Sequence, residues 1–162
     1  METPAPATRP DGKLAKPGAI LFMCGMNSIR SPMAEVIAKR LLPSDIYIQS
    51  AGVRSGERDP FVDVVLEEIG LSLGRHQPRR MEELEDDFFD LIVTLTPEAH
   101  HQALELTRSQ SVDVVYWPTM DPTATAGSRE QIVEAYRDVR DHLWQLIEQR
   151  LASRGTPFSG AD

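Results

Sequence analysis

Short apolar runs alternate along this chain with longer stretches in which apolar positions recur every three or four residues. The runs predict strands at Gly18–Met23, Asp45–Ser50, Phe89–Leu95 and Ser111–Tyr116. The periodic stretches predict helices. The first spans Ser31–Leu42, with Met33, Val36, Ile37 and Leu41 on one face and Pro43 as its stop. A second runs over Phe61–Ile69, opened by Asp59-Pro60 and closed by Gly70, and a third from Thr96-Pro97 through Leu106. The last extends from Ser128 to about Leu151, with Ile132, Val133, Tyr136, Val139, Leu143, Leu146 and Ile147 on its apolar stripe. A single helical turn is expected at Met81–Asp86. Strand and helix alternate, which predicts an α/β fold: a single-domain, doubly wound parallel sheet of about four strands with helices on both faces. Residues 1–16 are rich in Pro, Ala, Thr and charge without periodicity and read as a flexible extension; 17–152 form the domain and 153–162 a tail.

Composition narrows the functional classes. The chain has 162 residues, 41% hydrophobic and 26% charged, which is ordinary for a globular protein. Its net charge of −8 argues against nucleic acid or an anionic membrane as a partner. No apolar run approaches the roughly 18 residues of a membrane span, and the first residues carry no secretory apolar segment. One cysteine forbids an internal disulfide framework and fits a reducing cytoplasm.

That cysteine stands at the most informative place in the chain. The first strand ends at Cys24, a short loop of Gly25, Met26, Asn27, Ser28 and Ile29 follows, and then come Arg30, Ser31 and Pro32. Ser31-Pro32 reads as a helix N-cap with a first-turn proline. A tight loop between a strand and a helix N-terminus aims backbone N–H groups at one point, a nest for a tetrahedral oxyanion such as phosphate. Beside a helix N-terminus and a guanidinium, the Cys24 thiolate is stabilised as a nucleophile. Arg30 offers a two-pronged donor to phosphoryl oxygens, and Ser31 is placed to hydrogen-bond the sulfur. The plainer reading is that Cys24 is a small buried hydrophobe. The four histidines, His76, His100, His101 and His142, show no metal-ligand spacing, and no metal or cofactor is expected.

Cys24, five intervening residues and Arg30-Ser31-Pro32, with Ala34-Glu35 soon after, resemble the signature of the low-molecular-weight protein tyrosine phosphatases and of the arsenate reductases that share their fold. Ser50-Ala51-Gly52 matches the family again. The chain departs from the pattern at Ile29, where the family often has a second cysteine, and at Met26, usually glycine.

The resemblance implies phosphomonoester hydrolysis, of phosphotyrosine in a protein or of a small phosphoester, through a cysteinyl-phosphate. Asp121 of Asp121-Pro122, in the long loop after the fourth strand, is implied as the general acid; by spacing alone an Asp-Pro pair reads equally well as a turn. Asn27, Ser31, Ser50 and His76 match the positions that brace the family's loop. The aromatic residues that usually line its cleft are missing from Val53-Arg54-Ser55-Gly56 and from Thr123–Ala126, leaving Trp117 as a substitute or as core. Arg54, Arg58, Arg75 and Arg79 offer positive charge for an acidic substrate.

Two other functions compete. Arsenate reduction would use the same nest but needs a second thiol, and where the reductases place one this chain has Thr96. A phosphate-binding regulatory module without turnover would need neither Cys24 nor Asp121.

Overall fold

The computed structural model describes residues 17–86 and 88–152; the expected extension (1–16) and tail (153–162) lie outside the described residues. Four parallel strands form one sheet: β1 (Ala19–Cys24), β2 (Tyr47–Gly52), β3 (Leu91–Thr94) and β4 (Asp113–Tyr116), in the order β2-β1-β3-β4. The register pairs Cys24 with Gly52 and Met23 with both Ala51 and Thr94. The helices are α1 (Arg30–Leu41), α2 (Pro60–Glu67), α3 (Pro97–Leu106) and α4 (Arg129–Ile147), the last widening into a π turn at Glu148–Ala152. A 3₁₀ turn at Met81–Glu83 stands where one helical turn was expected.

Alternation along β1 explains why the sheet is covered twice. Ile20, Phe22 and Cys24 join one buried cluster with Met33 and Ile37 of α1, Val62 and Leu66 of α2, and Val139 and Leu143 of α4. Leu21 and Met23 join the other, with Ala99 and Ala103 of α3. Residues 20–23 are completely buried, so β1 must be apolar on both faces. Each large side chain so buried contributes roughly 1.5–3 kcal/mol.

The helix starts are chemically specified. Asp59 Oδ1 accepts from Phe61 N at 2.9 Å to cap α2, while its other oxygen takes the Tyr136 hydroxyl at 2.7 Å, pinning α4 beside it. Thr96 caps α3 through Ala99 N, and Ser128 with Gln131 forms a capping box on α4. The expected Ser31 cap is corrected. α1 begins one residue earlier, at Arg30, with Ile29 in the cap position and no side-chain cap. Ser31 is fully buried and its hydroxyl is engaged elsewhere.

The order β2-β1-β3-β4 puts the reversal of winding between β1 and β3. Ligands in such sheets bind at the carboxyl ends of the strands flanking that reversal. Cys24 ends β1, and the segment after β3 begins α3 nearby.

Candidate active site

The loop after Cys24 is shaped by its carbonyls. Cys24 O, Gly25 O and Met26 O accept from Val53 N, Arg54 N and Gly56 N at 3.2, 2.8 and 2.9 Å. In a trans peptide the next N–H points opposite to the carbonyl, so the amides of Gly25, Met26 and Asn27 turn away from segment 53–56. Asn27 N reaches the Cys24 sulfur at 3.3 Å. Two glycines permit this closeness. A Cβ at Gly52 would lie 2.4 Å from Arg54 O and 2.8 Å from Asn27 N, and one at Gly56 would lie 2.6 Å from Ser28 Oγ.

Asn27 is the loop's internal brace. It is fully buried, with φ of 57° in the left-handed region that asparagine tolerates best among residues with a side chain. Its Nδ2 donates to Ser31 Oγ at 2.8 Å and to Ser50 Oγ at 3.0 Å, and its Oδ1 accepts from Arg79 N at 3.0 Å. Ser50 Oγ donates to Glu35 Oε1 at 2.5 Å. Ser31 Oγ, already accepting from Asn27, stands 2.9 Å from the Cys24 sulfur and 3.5 Å from Ala51 O, so its hydrogen can turn to a thiolate when one forms. The Asn27 amide thus donates in two directions, to a serine anchored on the Glu35 carboxylate and to the serine beside the sulfur.

Glu35 and Arg79 are members of this network that sequence reasoning missed. Glu35 is 6% exposed and binds Lys39 Nζ at 2.7 Å as well as Ser50. Arg79 donates from Nε to Ser50 O at 3.0 Å. His76 lies beneath the loop with Nδ1 3.8 Å from Glu35 Oε1, too long for a hydrogen bond. Burial pushes its imidazole below the ordinary value, against the pull of Glu35. The signal for Glu35 was its place in Ala34-Glu35; Arg79 had none beyond its nearness to His76.

A cavity of about 470 Å³ opens over the sulfur. Cys24, Gly25, Met26, Ser28, Ile29 and Arg30 line one part of it, and Asp121 and Thr123 another. Cys24 itself is 2% exposed at the cavity floor. Arg30 Nη1 donates to Thr119 O at 2.9 Å, joining the nucleophile loop to the loop that carries Asp121. Asp121 Oδ1 accepts from Thr123 N at 2.9 Å and from Thr123 Oγ1 at 2.7 Å. Burial pushes the Asp121 carboxyl up, but the two Thr123 bonds and the Arg30 charge outweigh it, and the group sits below the ordinary carboxylate value.

Of the sequence-predicted site residues, Cys24, Arg30 and Asp121 share this cavity, and Asn27, Ser31, Ser50 and His76 lie under it. The four arginines separate. Arg54 lines the cavity, Arg79 braces the loop, Arg58 binds Asp63 and the carbonyls of Gly74 and His76, and Arg75 is exposed outside the cavity lining. Trp117 is core, 3% exposed and tilted against Phe22 at 6.4 Å. Among the described residues, no three His, Cys, Asp or Glu side chains group as metal ligands would, and no helix is long and apolar enough to cross a membrane.

Residues 19–153 match the family model described as low molecular weight phosphotyrosine protein phosphatase. The chain belongs to this family. Relatives within the phosphatase fold carry two kinds of name. The glutaredoxin arsenate reductase of Synechocystis is 26% identical over 133 residues, covering 82% of this chain and 95% of that protein. The arsenate reductase of Halalkalibacterium halodurans is 28% identical over 129 residues, covering 80% and 91%. The crystal structure of the tyrosine phosphatase AmsI from Erwinia amylovora superposes with a TM-score of 0.68 at 22% identity, over 83% of this chain and 91% of that one. The low-molecular-weight phosphatase fold, a four-stranded parallel sheet between helices, is therefore as the sequence pattern predicted.

Proposed function

We propose that this protein is a cysteine-dependent phosphomonoesterase acting on aryl phosphates, with phosphotyrosine as the model substrate. The observation that carries the reading is the shared cavity: the Cys24 thiol, the Arg30 guanidinium and the Asp121 carboxylate converge there, with Ser31 Oγ and Asn27 N beside the sulfur. The Cys24 thiolate attacks phosphorus in line, with Arg30 and the loop amides holding the three equatorial oxygens. The P–O ester bond breaks, its electrons pass to the departing oxygen, and Asp121 supplies the proton. In the second step the Asp121 carboxylate takes a proton from water, the resulting nucleophile attacks phosphorus, and the P–S bond breaks. Ser31 Oγ and Asn27 N receive the thiolate as it leaves.

The acid must be protonated for the first step. Because Asp121 sits below the ordinary carboxylate value, activity is expected to rise toward acid pH. Hydrolysis of phenyl phosphate, absent without enzyme and lost in Cys24→Ser, tests the reading.

A second reading rests on the arsenate reductase relatives. Arsenate would occupy the same nest and join Cys24 with loss of water. An external thiol would then attack the Cys24 sulfur, forming a mixed disulfide as arsenite leaves with two electrons, and a second external thiol would free Cys24. This chain supplies no second thiol of its own. Arsenate-dependent consumption of glutathione, measured beside phenyl phosphate hydrolysis, decides between the two.

A further inference from the structure

The cavity over Cys24 has a wall that belongs to neither the nucleophile loop nor the acid loop. Arg54, in the segment after β2, donates from Nη1 to Glu98 Oε2 in the first turn of α3. Both side chains sit over the bare Cα of Gly25, where a Cβ would lie 3.4 Å from Glu98 Oε1 and 3.7 Å from Arg54 Nη2. Arg54 is held at its backbone as well, by the bond from its N–H to Gly25 O at 2.8 Å. The pair is about half exposed, at 55% and 45%, and an ion pair so open to water adds little to stability. Stability is therefore a poor reason for its placement.

An aryl phosphate brings a ring that must lie against something. Among the described residues no aromatic side chain lines this cavity, and Trp117 is sequestered against Phe22. Of the two guanidinium groups that line it, Arg30 is assigned above to the phosphoryl oxygens, which leaves the Arg54 plane for the ring. Guanidinium planes stack on aromatic faces, and a carboxylate gripping one edge fixes the plane while leaving its faces open. Fixing it beforehand also lowers the entropy lost when a ring binds. Met26 lines the same cavity at 49% exposure, and its thioether is a further soft contact for a ring.

We propose that Arg54, positioned by Glu98, is the stacking wall that selects aryl over alkyl phosphates, a role that rests on the phosphatase reading above. Arg54 touches the substrate's ring; Glu98 acts through Arg54 and is a positioning residue.

The test is calorimetric binding of phenylphosphonate and methylphosphonate to the full chain and to three variants. The ratio of the two affinities cancels any general effect of charge on phosphonate binding. The unmodified protein should prefer the phenyl compound. Arg54→Ala should lower the phenyl-over-methyl ratio by about 2- to 5-fold. Arg54→Tyr should keep it, because a ring replaces the plane, and Glu98→Gln should lower it by less than Arg54→Ala does. A ratio in Arg54→Ala equal to that of the unmodified protein overturns the proposal, and so does a uniform weakening of both ligands, which would mean charge alone. Phenyl phosphate turnover is followed in parallel. Turnover without the ratio change sinks the wall only, while the ratio change without turnover sinks the phosphatase reading and leaves the wall standing.

Discussion

The loop that carries Cys24 and the loop that carries Asp121 meet at one cavity but are held by opposite means. The first is buried and cross-linked: Asn27, Ser31 and Ser50 are completely inaccessible, and their bonds reach α1, β2 and the segment around Arg79. The second is exposed, with neighbouring Met120 58% accessible, and Asp121 is held chiefly by its own turn through Thr123. It is tied to the rest through the main chain of Thr119, whose carbonyl accepts from Arg30 Nη1 and whose N–H donates to Leu95 O at 3.1 Å. Cys24, the proposed nucleophile, is thus preorganised by the fold, whereas Asp121, the proposed acid, is placed by local chemistry. Damage to the first region should cost stability and turnover together; damage to the second should cost turnover alone.

Cys24→Ser gives the largest expected effect. Hydrolysis of phenyl phosphate should fall by about 10⁴-fold or more, because no covalent intermediate forms. Inorganic phosphate should still bind, since the amides and Arg30 remain. Steady-state kinetics and calorimetry read the two quantities, and residual turnover close to that of the unmodified protein would end the mechanism. Asp121→Asn comes next, with kcat for phenyl phosphate reduced by about 10²–10⁴-fold. Its unfolding free energy should change by less than about 0.5 kcal/mol, as for other exposed substitutions. A large loss of stability in urea denaturation would contradict the picture of an acid placed by its own turn.

Asn27→Ala probes the other side. It removes bonds to Ser31, Ser50 and Arg79 and forces alanine to a φ of 57°. Stability should drop by about 2–4 kcal/mol in urea denaturation. Asn27→Gly, which relieves the backbone but not the lost bonds, should recover part of this. Equal losses in both variants would show that backbone conformation contributes nothing.

The same contrast governs how much was readable in the sequence. Cys24 to Pro32 is contiguous, so a strand, a nest and a helix start could be seen in one stretch. Ser31 was misplaced as a cap because a Ser-Pro before a helix looks the same whether its hydroxyl caps an amide or binds a sulfur; here the sulfur, at 2.9 Å, takes it. Glu35 was seen only as part of the motif and Arg79 only as charge for a substrate, because their bracing contacts form only once β2 and the segment after α2 fold back beneath the loop. Arg54 and Glu98 are 44 residues apart and meet because the sheet order sets β2 and β3 on either side of β1. No local pattern carries such a pairing. Asp121-Pro122 was ambiguous for a physical reason as well: the same side chain both initiates a turn, through Thr123 N, and faces the cavity.

Thr123→Val gives the smallest effect and tests the acid loop's self-sufficiency most directly. Valine keeps the branched shape and the backbone N–H bond to Asp121 Oδ1 but removes the hydroxyl bond at 2.7 Å. That bond stabilises the ionised carboxylate, so losing it raises the Asp121 pKa from its depressed position. The protonated acid then survives to higher pH, and the alkaline limb of kcat/KM should move upward. The second ionisation of a phosphate ester, near about 6, lies on the same profile. It is common to both proteins, so the difference between their profiles isolates Asp121. A limb that stays in place would mean that the Arg30 charge, and not the turn, holds the carboxyl down, and the acid loop would then depend on the nucleophile loop after all.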